Sequence, residues 1–536
     1  MKWPKICCLL ILAATLVALA LRLPRLGLRP MHTDEAVHAV KFGSLLEKGH
    51  YRYDPHEYHG PTLNYLTLIP AWLSSDRKLP DINESTLRIV PVFFGALLVL
   101  LLLPLAGGLG RTAAVAAALL TAVSPALVFY SRYYIQEMLL VCFTFGAIIS
   151  GYRYARCKNI KWALLTGISL GLMYATKETC VIAFGSMLLA LLLTLIMRGR
   201  QGGSVVMTVR AVNPRHVIAA IAAAGVVAAL FYSSFLTNTG GIVDSMLAWK
   251  TYINRAAQNE WHLHPWYYYL KMLVYSRYDT GPVWSEALIV VLAGIGFGAA
   301  MTNKGMANGN IHLIRFIAFY TLIMTVLYSV IPYKTPWNLL GFLHGLVLLA
   351  GVGAMALLRY QTNSLPRILI GLLLVAGGAY LAWQACRANY RYYADPANPY
   401  VYAHTSTDVV DISRRVAGIA DSHPDGQNLN VEVICPGDDY WPLPWYLRSF
   451  PNVGWWSEVD EEAPAAPILI ASPKVEQALL RKLYELPAPG KRNLYVPLFN
   501  SYTELRPQVE LRGYVVKDLW DRFQQRRVPS VPLPDR

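Results

Sequence analysis

Stretches of about 20 mostly apolar residues recur through the first 386 residues of this chain, and they constrain its fold more than any other feature. One α-helix needs roughly 20 such residues to cross the hydrocarbon core of a bilayer. Only 15% of the residues are charged, against roughly 25% in an ordinary soluble domain. The apolar stretches lie at 6–21, 86–106, 112–130, 138–155, 162–176, 180–197, 216–236, 285–301, 313–331, 338–358 and 367–385. We therefore predict a mainly α-helical, polytopic membrane protein with about 11 transmembrane helices.

The pattern changes after residue 386, where polar sequence alternates with short apolar runs. This change predicts two domains, a multi-spanning membrane domain over 1–386 and a globular domain over 387–536. In the second domain, residues 407–423 and 473–485 resemble helices, whereas 429–435 and 467–471 resemble buried strands. Helices that alternate with strands predict a small α/β domain.

The first apolar stretch has a second interpretation. A basic start, an apolar core and the small residues Ala18 and Ala20 also fit a cleavable signal peptide. The apolar run is longer than a signal peptide requires, and further long apolar stretches follow it. We therefore expect a first transmembrane helix.

The charges predict the orientation of the chain. With the N-terminus inside, the inside loops fall at 107–112, 153–161, 198–215, 302–315 and 359–367. These loops hold Arg and Lys but no Asp or Glu, as the positive-inside rule requires. Arg22, Arg25 and Arg29 are exceptions, because they follow the first span on the outer side. The long segments 22–85 and 237–284 and the C-terminal domain are thus expected to be extracytoplasmic, in a multi-pass protein of the plasma membrane.

The net charge of +15 does not predict a nucleic-acid partner, because the basic residues lie mainly in short loops between apolar stretches. The seven cysteines show neither metal-ligand spacing nor a disulfide framework. No glycine-rich phosphate loop or nucleotide fingerprint occurs, so a nucleotide donor is not expected.

The first outer loop, 22–85, carries the first candidate site residues. Asp34, Glu35 and His38 lie at the start of a predicted amphipathic helix, with Asp34 and His38 on one face. The alternative is an ordinary helix start in which the two acids only favour the helix dipole. Further along, Tyr58 and His59 stand in a stretch rich in Tyr, His and acid. Pro and Gly interrupt it, which disfavours a zinc motif and favours a loop at the mouth of a site.

Three short outer connections carry ionisable residues that a simple turn would not need. They are Arg132 with Glu137, Lys177 with Glu178, and Lys334. Ionisable groups at membrane depth are costly and indicate function by default. The alternative is that they anchor span ends at the interface. Their occurrence on one side, together with the Asp34 helix, favours a site.

At these residues the chain resembles the GT-C superfamily of membrane glycosyltransferases, which includes protein O-mannosyltransferases and aminoarabinose-lipid A transferases. The resemblance is strongest to the flippase activity-associated membrane proteins, through Met31 to Ala36 and through Tyr53-Asp54-Pro55 with Tyr58 to Thr62. It implies that Asp34 is the base, beside Glu35, and that Arg132 and Glu137 form a second catalytic position. Lys177 resembles the lysine near the fifth span of such families, although Glu178 follows it where several relatives have Gly.

The resemblance implies a polyprenyl-phosphate-linked sugar as donor and a hexosyltransferase activity toward an acceptor hydroxyl of a protein, lipid or glycan. Glu35 and Glu137 would assist Asp34, while Lys177, Arg132 and Lys334 would bind the donor phosphate. His38, His59, Tyr58 and Glu178 would contact substrate. The phosphate leaves as a stable anion, so neither a second carboxylic acid nor a metal is required, and the anomeric configuration should invert. A divalent ion between Asp34 and Glu137 is the alternative.

Two rival functions belong to other classes. A transporter of lipid-linked sugar would place charge or broken helices near the bilayer midplane, whereas these spans are almost free of interior charge. A non-catalytic, flippase-associated subunit would not need Asp34, Glu137 and Lys177 together. Both comparisons favour the enzyme.

Overall fold

A computed structural model of the chain describes residues 5–56, 59–248, 262–305 and 309–527. Its contacts divide the chain into two compact units. Unit 1 comprises Met1–Leu28, Ser44–Asp76 and Asn83–Tyr402, and unit 2 comprises Arg29–Gly43, Arg77–Ile82 and Ala403–Arg536. Two segments of the first outer loop are thereby grouped with the C-terminal sequence, and the division falls within one helix, α2.

Helices build almost all of unit 1. In chain order they are α1 (Lys5–Arg22), α2 (Thr33–Lys48), α3 (Thr62–Leu73), α4 (Glu84–Leu100), α5 (Leu102–Leu109), α6 (Arg111–Val123), α7 (Pro125–Tyr130), α8 (Glu137–Cys157), α9 (Ile160–Tyr174), α10 (Cys180–Arg200), α11 (Val205–Arg210), α12 (Pro214–Tyr232), α13 (Tyr268–Val274), α14 (Ala287–Thr302), α15 (Ile311–Val330), α16 (Leu340–Tyr360) and α17 (Ser364–Tyr390).

The predicted polytopic architecture is confirmed. Within the described residues, eight helical stretches are long and apolar enough to cross a membrane, and α6, α9 and α14 are shorter apolar helices. Each predicted apolar stretch coincides with one of these eleven elements, eight plus three. Length and composition do not fix how many of them cross the bilayer, so the number of spans stays a prediction.

Glycines let several of these helices approach closely. A Cβ atom on Gly353 of α16 would lie 2.0 Å from the backbone oxygen of Leu292 on α14. A Cβ atom on Gly167 of α9 would lie 2.0 Å from the backbone oxygen of Ala220 on α12. Small residues at such crossings give the backbone contact that stabilises helix pairs in lipid, where hydrophobic burial between helices is weak.

Buried arginines hold the turn after α1. Arg22 donates hydrogen bonds to the backbone oxygens of Thr121 (3.0 Å) and Ala122 (2.8 Å) and to the hydroxyl of Ser131 (3.0 Å). Arg88 donates to the backbone oxygen of Leu26 at 2.6 Å. A guanidinium that donates to backbone carbonyls inside the protein is placed by packing, so its position does not indicate on which side of the membrane the loop lies. The position of Arg22 directly after the first apolar stretch therefore has a structural reason that is independent of the positive-inside rule.

Unit 2 contains the predicted α/β domain. Its helices are α18 (Asp408–Ala420), α19 (Leu443–Tyr446), α20 (Glu476–Leu480) and α21 (Lys517–Arg527), and its strands are β1 (Val431–Ile434), β2 (Val453–Trp456), β3 (Ile468–Ala471), β4 (Tyr495–Pro497), β5 (Glu504–Arg506), β6 (Val509–Glu510) and β7 (Arg512–Val516). Five strands form one sheet in the order β2-β1-β3-β7-β4. β1 pairs in parallel with β2 and β3, whereas β7 runs antiparallel to β3 and β4.

Buried apolar residues of β1, β3 and α18 form one core cluster of this domain, including Val431, Val433, Ile468 and Ile470. The predicted helices and strands in 407–485 are confirmed. The domain boundary at 386/387 stays a prediction. The helix that contains it, α17, ends at Tyr390, and unit 2 resumes at Ala403.

The start of α2 is tied into unit 2. The backbone amide of Met31 donates to the Tyr446 hydroxyl at 2.8 Å, and the Thr405 hydroxyl donates to the Met31 oxygen at 2.6 Å. The ring of His32 stacks on that of His404 with 5.9 Å between centroids. The Asp34 segment is therefore held by side chains more than 350 residues away along the chain.

Candidate active site

Glu137 and Lys177 form a buried ion pair in unit 1. Glu137 is the first residue of α8, where the helix dipole favours a carboxylate, and Lys177 lies in the short connection between α9 and α10. The side chains are only 6% and 8% exposed, and the Lys177 ammonium donates to Oε1 of Glu137. Burial disfavours the charged lysine, but the Glu137 carboxylate outweighs this effect and raises the pKa of Lys177. Lys177 therefore keeps its positive charge although it is buried.

The second carboxylate oxygen of Glu137 differs from the first. Oε2 is buried and accepts no hydrogen bond from any residue that the structure describes. A buried carboxylate oxygen without a donor costs free energy, which is commonly tolerated at functional sites. Glu137 and Lys177 thus offer both an acceptor and a cation to a polar group.

Glu178 pairs with the first outer loop. Oε2 of Glu178 lies 2.8 Å from Nδ1 of His59, and Oε1 accepts a hydrogen bond of 3.2 Å from the Tyr53 hydroxyl. Burial raises the pKa of Glu178, but the His59 ring outweighs burial and holds it below the ordinary value. The negative charge of Glu178 also stabilises the positive charge of Lys177. Four predicted site residues thus form one charged cluster, Glu137, Lys177, Glu178 and His59.

A glycine brings the two segments of this cluster together. A Cβ atom on Gly60 would lie 2.2 Å from the backbone oxygen of Ala175. Beside it, the Thr62 amide donates to the same oxygen at 3.2 Å, and the hydroxyls of Thr62 and Thr176 lie 2.8 Å apart. No side chain larger than hydrogen would fit at position 60 without moving the backbone. Gly60 therefore sets the spacing between His59 and Glu178.

Asp34 and Glu35 have different environments in unit 2. The Asp34 side chain is 47% exposed, and its backbone amide donates to Nδ1 of His32 at 3.1 Å. Glu35 is fully buried, accepts a hydrogen bond of 3.0 Å from the His32 amide and pairs with Arg29 at 3.4 Å. Glu35 is the third residue of α2, so this contact is one half of a capping box. His38 is buried one turn further along.

Of these two acids, only Asp34 presents its carboxylate to solvent. Its exposed side chain meets the first requirement for a base that must reach a substrate proton. The catalytic role predicted for Glu35 stays a prediction, and its observed contacts are those of a residue that caps α2 and orients the Asp34 turn.

Arg132 binds backbone oxygens. Its guanidinium donates to the oxygens of Arg22 (2.7 Å), Pro24 (2.7 Å) and Arg25 (3.0 Å) and lies over the Tyr390 ring at 5.0 Å. These bonds hold the chain as it leaves α1 toward the first outer loop.

Lys334 is 1% exposed and donates to the backbone oxygens of His264, at 3.2 Å, and Ile331. Its burial lowers its pKa. The phosphate-binding roles of Arg132 and Lys334 stay predictions, and Tyr58 lies outside the described residues.

Glu286 is a buried acid that the sequence analysis did not single out. It accepts hydrogen bonds from the Ser124 hydroxyl (2.5 Å), the Ala126 amide (2.9 Å) and the Tyr400 hydroxyl (2.8 Å). Its position immediately before the apolar α14 was the signal available in the sequence. Its three donors tie α7 to the start of α14 and to the end of unit 1.

Among the described residues, no three or more His, Cys, Asp and Glu side chains come close enough to hold a metal ion. Metal independence stays a prediction. His59 is paired with Glu178.

Comparison with known proteins shows which proteins this chain resembles. A family model described as dolichyl-phosphate-mannose-protein mannosyltransferase matches residues 12–238. The solved structure of ArnT from Cupriavidus metallidurans, bound to undecaprenyl phosphate, aligns with 94% of this chain and 97% of its own at a TM-score of 0.58 and 14% identity. The family model covers 227 of the 536 residues, and the solved structure shares the fold of this chain.

A second solved structure has a similar fold. The archaeal oligosaccharyltransferase AglB from Archaeoglobus fulgidus, in complex with an inhibitory peptide and a dolichol-phosphate, aligns with 88% of this chain and 70% of its own at a TM-score of 0.54 and 12% identity. No curated protein sequence matches significantly. The predicted GT-C resemblance is thus confirmed, and the narrower likeness to flippase activity-associated proteins stays a prediction. The family model and AglB both describe enzymes that transfer sugars.

Proposed function

We propose that this protein is a GT-C glycosyltransferase that moves a hexose from a polyprenyl-phosphate-linked donor to an acceptor hydroxyl on the extracytoplasmic side of the membrane. One observation carries the proposal. In a chain with a sugar-transferase fold, Lys177 is buried, charged and paired with Glu137, at a span end where packing alone requires no charge. The donors named for two fold relatives, undecaprenyl phosphate and dolichol-phosphate, are lipid phosphates that such a cation suits.

Lys177 is the proposed phosphate-binding residue. As the bond between the anomeric carbon and the phosphate oxygen breaks, its electron pair goes to the lipid phosphate, which gains negative charge. A fixed ammonium in a site with little water stabilises that charge more strongly than one in bulk water. Glu137 raises the pKa of Lys177 and so keeps the charge in place at neutral pH.

Asp34 is the proposed base. The acceptor oxygen attacks the anomeric carbon from the face opposite the phosphate, and its proton passes to the Asp34 carboxylate. One displacement of this kind inverts the anomeric configuration. Glu35, through its bond to the His32 amide, and His32, through its bond from the Asp34 amide, hold the Asp34 turn in shape.

Glu178 and His59 are proposed to hold Lys177 in place. Their ion pair joins the connection after α9 to the segment before α3, which also meet at the Gly60 contact. Arg132 is proposed to hold the beginning of the first outer loop through its three backbone contacts. Lys334 is proposed to hold the segment before α13 in the same way. Acceptor recognition is proposed for unit 2, where residues that follow β1 and β3 lie at the carboxyl edge of parallel strands, the usual position of ligand loops.

The test is sugar transfer in membrane vesicles. Vesicles that contain the protein, and matched vesicles that lack it, receive synthetic polyprenyl-phosphate-hexoses with a radiolabelled sugar. We expect label to move from the lipid to endogenous acceptors only where the protein is present. The free polyprenyl phosphate should appear in equal amount. Flipping of the donor across the bilayer without release of polyprenyl phosphate would instead indicate the transporter or flippase-associated function.

A further inference from the structure

A long cavity of about 1300 Å³ lies within unit 1, apart from the Glu137–Lys177 cluster. Its walls are formed by α8, α9, α10, α12 and α15 and are mostly apolar, with Leu170, Leu188 and Ile221 among them. It runs from Lys158, just before α9, to Tyr174 at the end of that helix. The 15 residues of α9 give it a length of roughly 22 Å, a large part of the roughly 30 Å hydrocarbon core.

One end of the cavity is basic. Arg156, Lys158 and Arg198 line it there, beside His312. No Asp or Glu belongs to the described lining, and none occurs in the loops 153–161 and 198–215. Among the described residues, none of the three cations forms an ion pair with a carboxylate. Lys158 lies only over the ring of Tyr154, 5.3 Å from its centroid. The three charges at this end are therefore uncompensated within the described protein.

We propose that this cavity binds an anionic glycerophospholipid, with its phosphate at the basic end and an acyl chain along the apolar walls. Charge complementarity selects the occupant. Three cations at one mouth of an apolar cavity match an anionic headgroup, and each basic residue near a lipid surface contributes about 1 kcal/mol to attraction of anionic lipid, or about fivefold in affinity. A zwitterionic lipid offers the same chains without the net charge.

The lipid would also complete the packing of the helices. α12 lies almost wholly on the outside of the bundle, and glycines join it closely to α9. Across the cavity stand α10 and α15. Apolar walls of this extent gain dispersion contacts when an acyl chain packs against them. A bound acyl chain supplies those contacts, so occupancy should stabilise the protein against heat.

The experiment is native mass spectrometry and thermal unfolding of the full chain in detergent, with phosphatidylglycerol or phosphatidylcholine of identical acyl chains. The double variant R156Q/R198Q removes two of the lining cations. The control K161Q/R359Q removes two exposed cations of other inside positions, neither of which lines the cavity. We expect phosphatidylglycerol alone to remain bound and raise the unfolding temperature, and R156Q/R198Q to weaken that binding about tenfold or more while the control does not.

Three results would overturn the proposal. Equal retention of both lipids would show that the cavity selects acyl chains and not charge. Equal loss in the control would assign the effect to the basic surface as a whole. Displacement of phosphatidylglycerol by equimolar undecaprenyl phosphate would assign the cavity to a polyprenyl lipid.

Discussion

Replacement of Lys177 by methionine tests whether the buried ion pair is real. The change keeps most of the side-chain volume but removes the ammonium, and it leaves the Glu137 carboxylate buried beside an apolar group. At 6% exposure that carboxylate cannot regain its water shell without local opening. Loss of one partner of a buried pair costs about 3–5 kcal/mol. We therefore expect K177M to lower the free energy of unfolding by about that amount.

The double variant K177M/E137Q separates charge from packing. It removes both ions, so the cost of a lone buried charge disappears and its destabilisation should fall well below the sum of the two single variants. The coupling energy between two residues in direct contact is commonly about 0.5–3 kcal/mol. The assay is unfolding in mixed micelles titrated with denaturing detergent, followed by tryptophan fluorescence, for wild type, both single variants and the double variant.

Sugar transfer by wild type, K177M, E137Q and K177M/E137Q is the second measurement. If Lys177 binds the donor phosphate, sugar transfer stays absent in the double variant although its stability returns. The reasoning is refuted by additive destabilisation, which would mean that the two side chains do not meet, or by transfer that returns together with stability, which would make the pair purely structural.

Further predictions concern the loop, the pH response and the topology. G60A should lower the free energy of unfolding by about 1–3 kcal/mol, because its Cβ would meet the Ala175 oxygen. The control G185A should not, because a Cβ there meets nothing within 4 Å. Thermal unfolding of both variants measures the difference. Because folding lowers the pKa of Glu178 from its ordinary value of 4.5, the ionised side chain stabilises the fold above pH 4.5, and this stability is lost as the pH falls through the lowered pKa. The unfolding temperature of wild type should therefore drop more steeply below pH 4.5 than that of E178Q. Exposed Cys157, in a predicted inside loop, should react with a membrane-impermeant maleimide only in permeabilised cells, with C157S as control. Labelling of intact cells would reverse the predicted orientation.

The apolar helices of unit 1 could be predicted because bilayer thickness sets their length and composition. The points at which these helices are interrupted could not be predicted. α4 and α5 meet at Leu101, and α6 and α7 at Ser124, within stretches that read as continuous apolar runs. Pro125 explains the second break, since proline favours the first position of a new helix. Apolar periodicity carries no comparable signal at Leu101.

The charged residues of the candidate site could be found from their cost at span ends, but their partners could not. Arg132 meets the oxygens of residues 22–25 only once α1 and α7 are packed, and no spacing in the sequence indicates this contact. The pairing of His59 with Glu178 likewise depends on the contact at Gly60. The strands β2 and β4–β7 escaped prediction because they are short and partly exposed, whereas β1 and β3, which have the length of β2, are fully buried and stand out as apolar runs.

We propose that this protein transfers sugar from a lipid phosphate with Asp34 as base. The most direct test compares transfer from radiolabelled polyprenyl-phosphate-hexose by wild type, D34N and the control D279N, an exposed acid of the second outer segment, at equal expression in the same vesicles. We expect transfer by wild type and D279N and none above background by D34N. Equal transfer by all three would contradict the role of Asp34, and transfer by none would contradict the proposed activity with that donor.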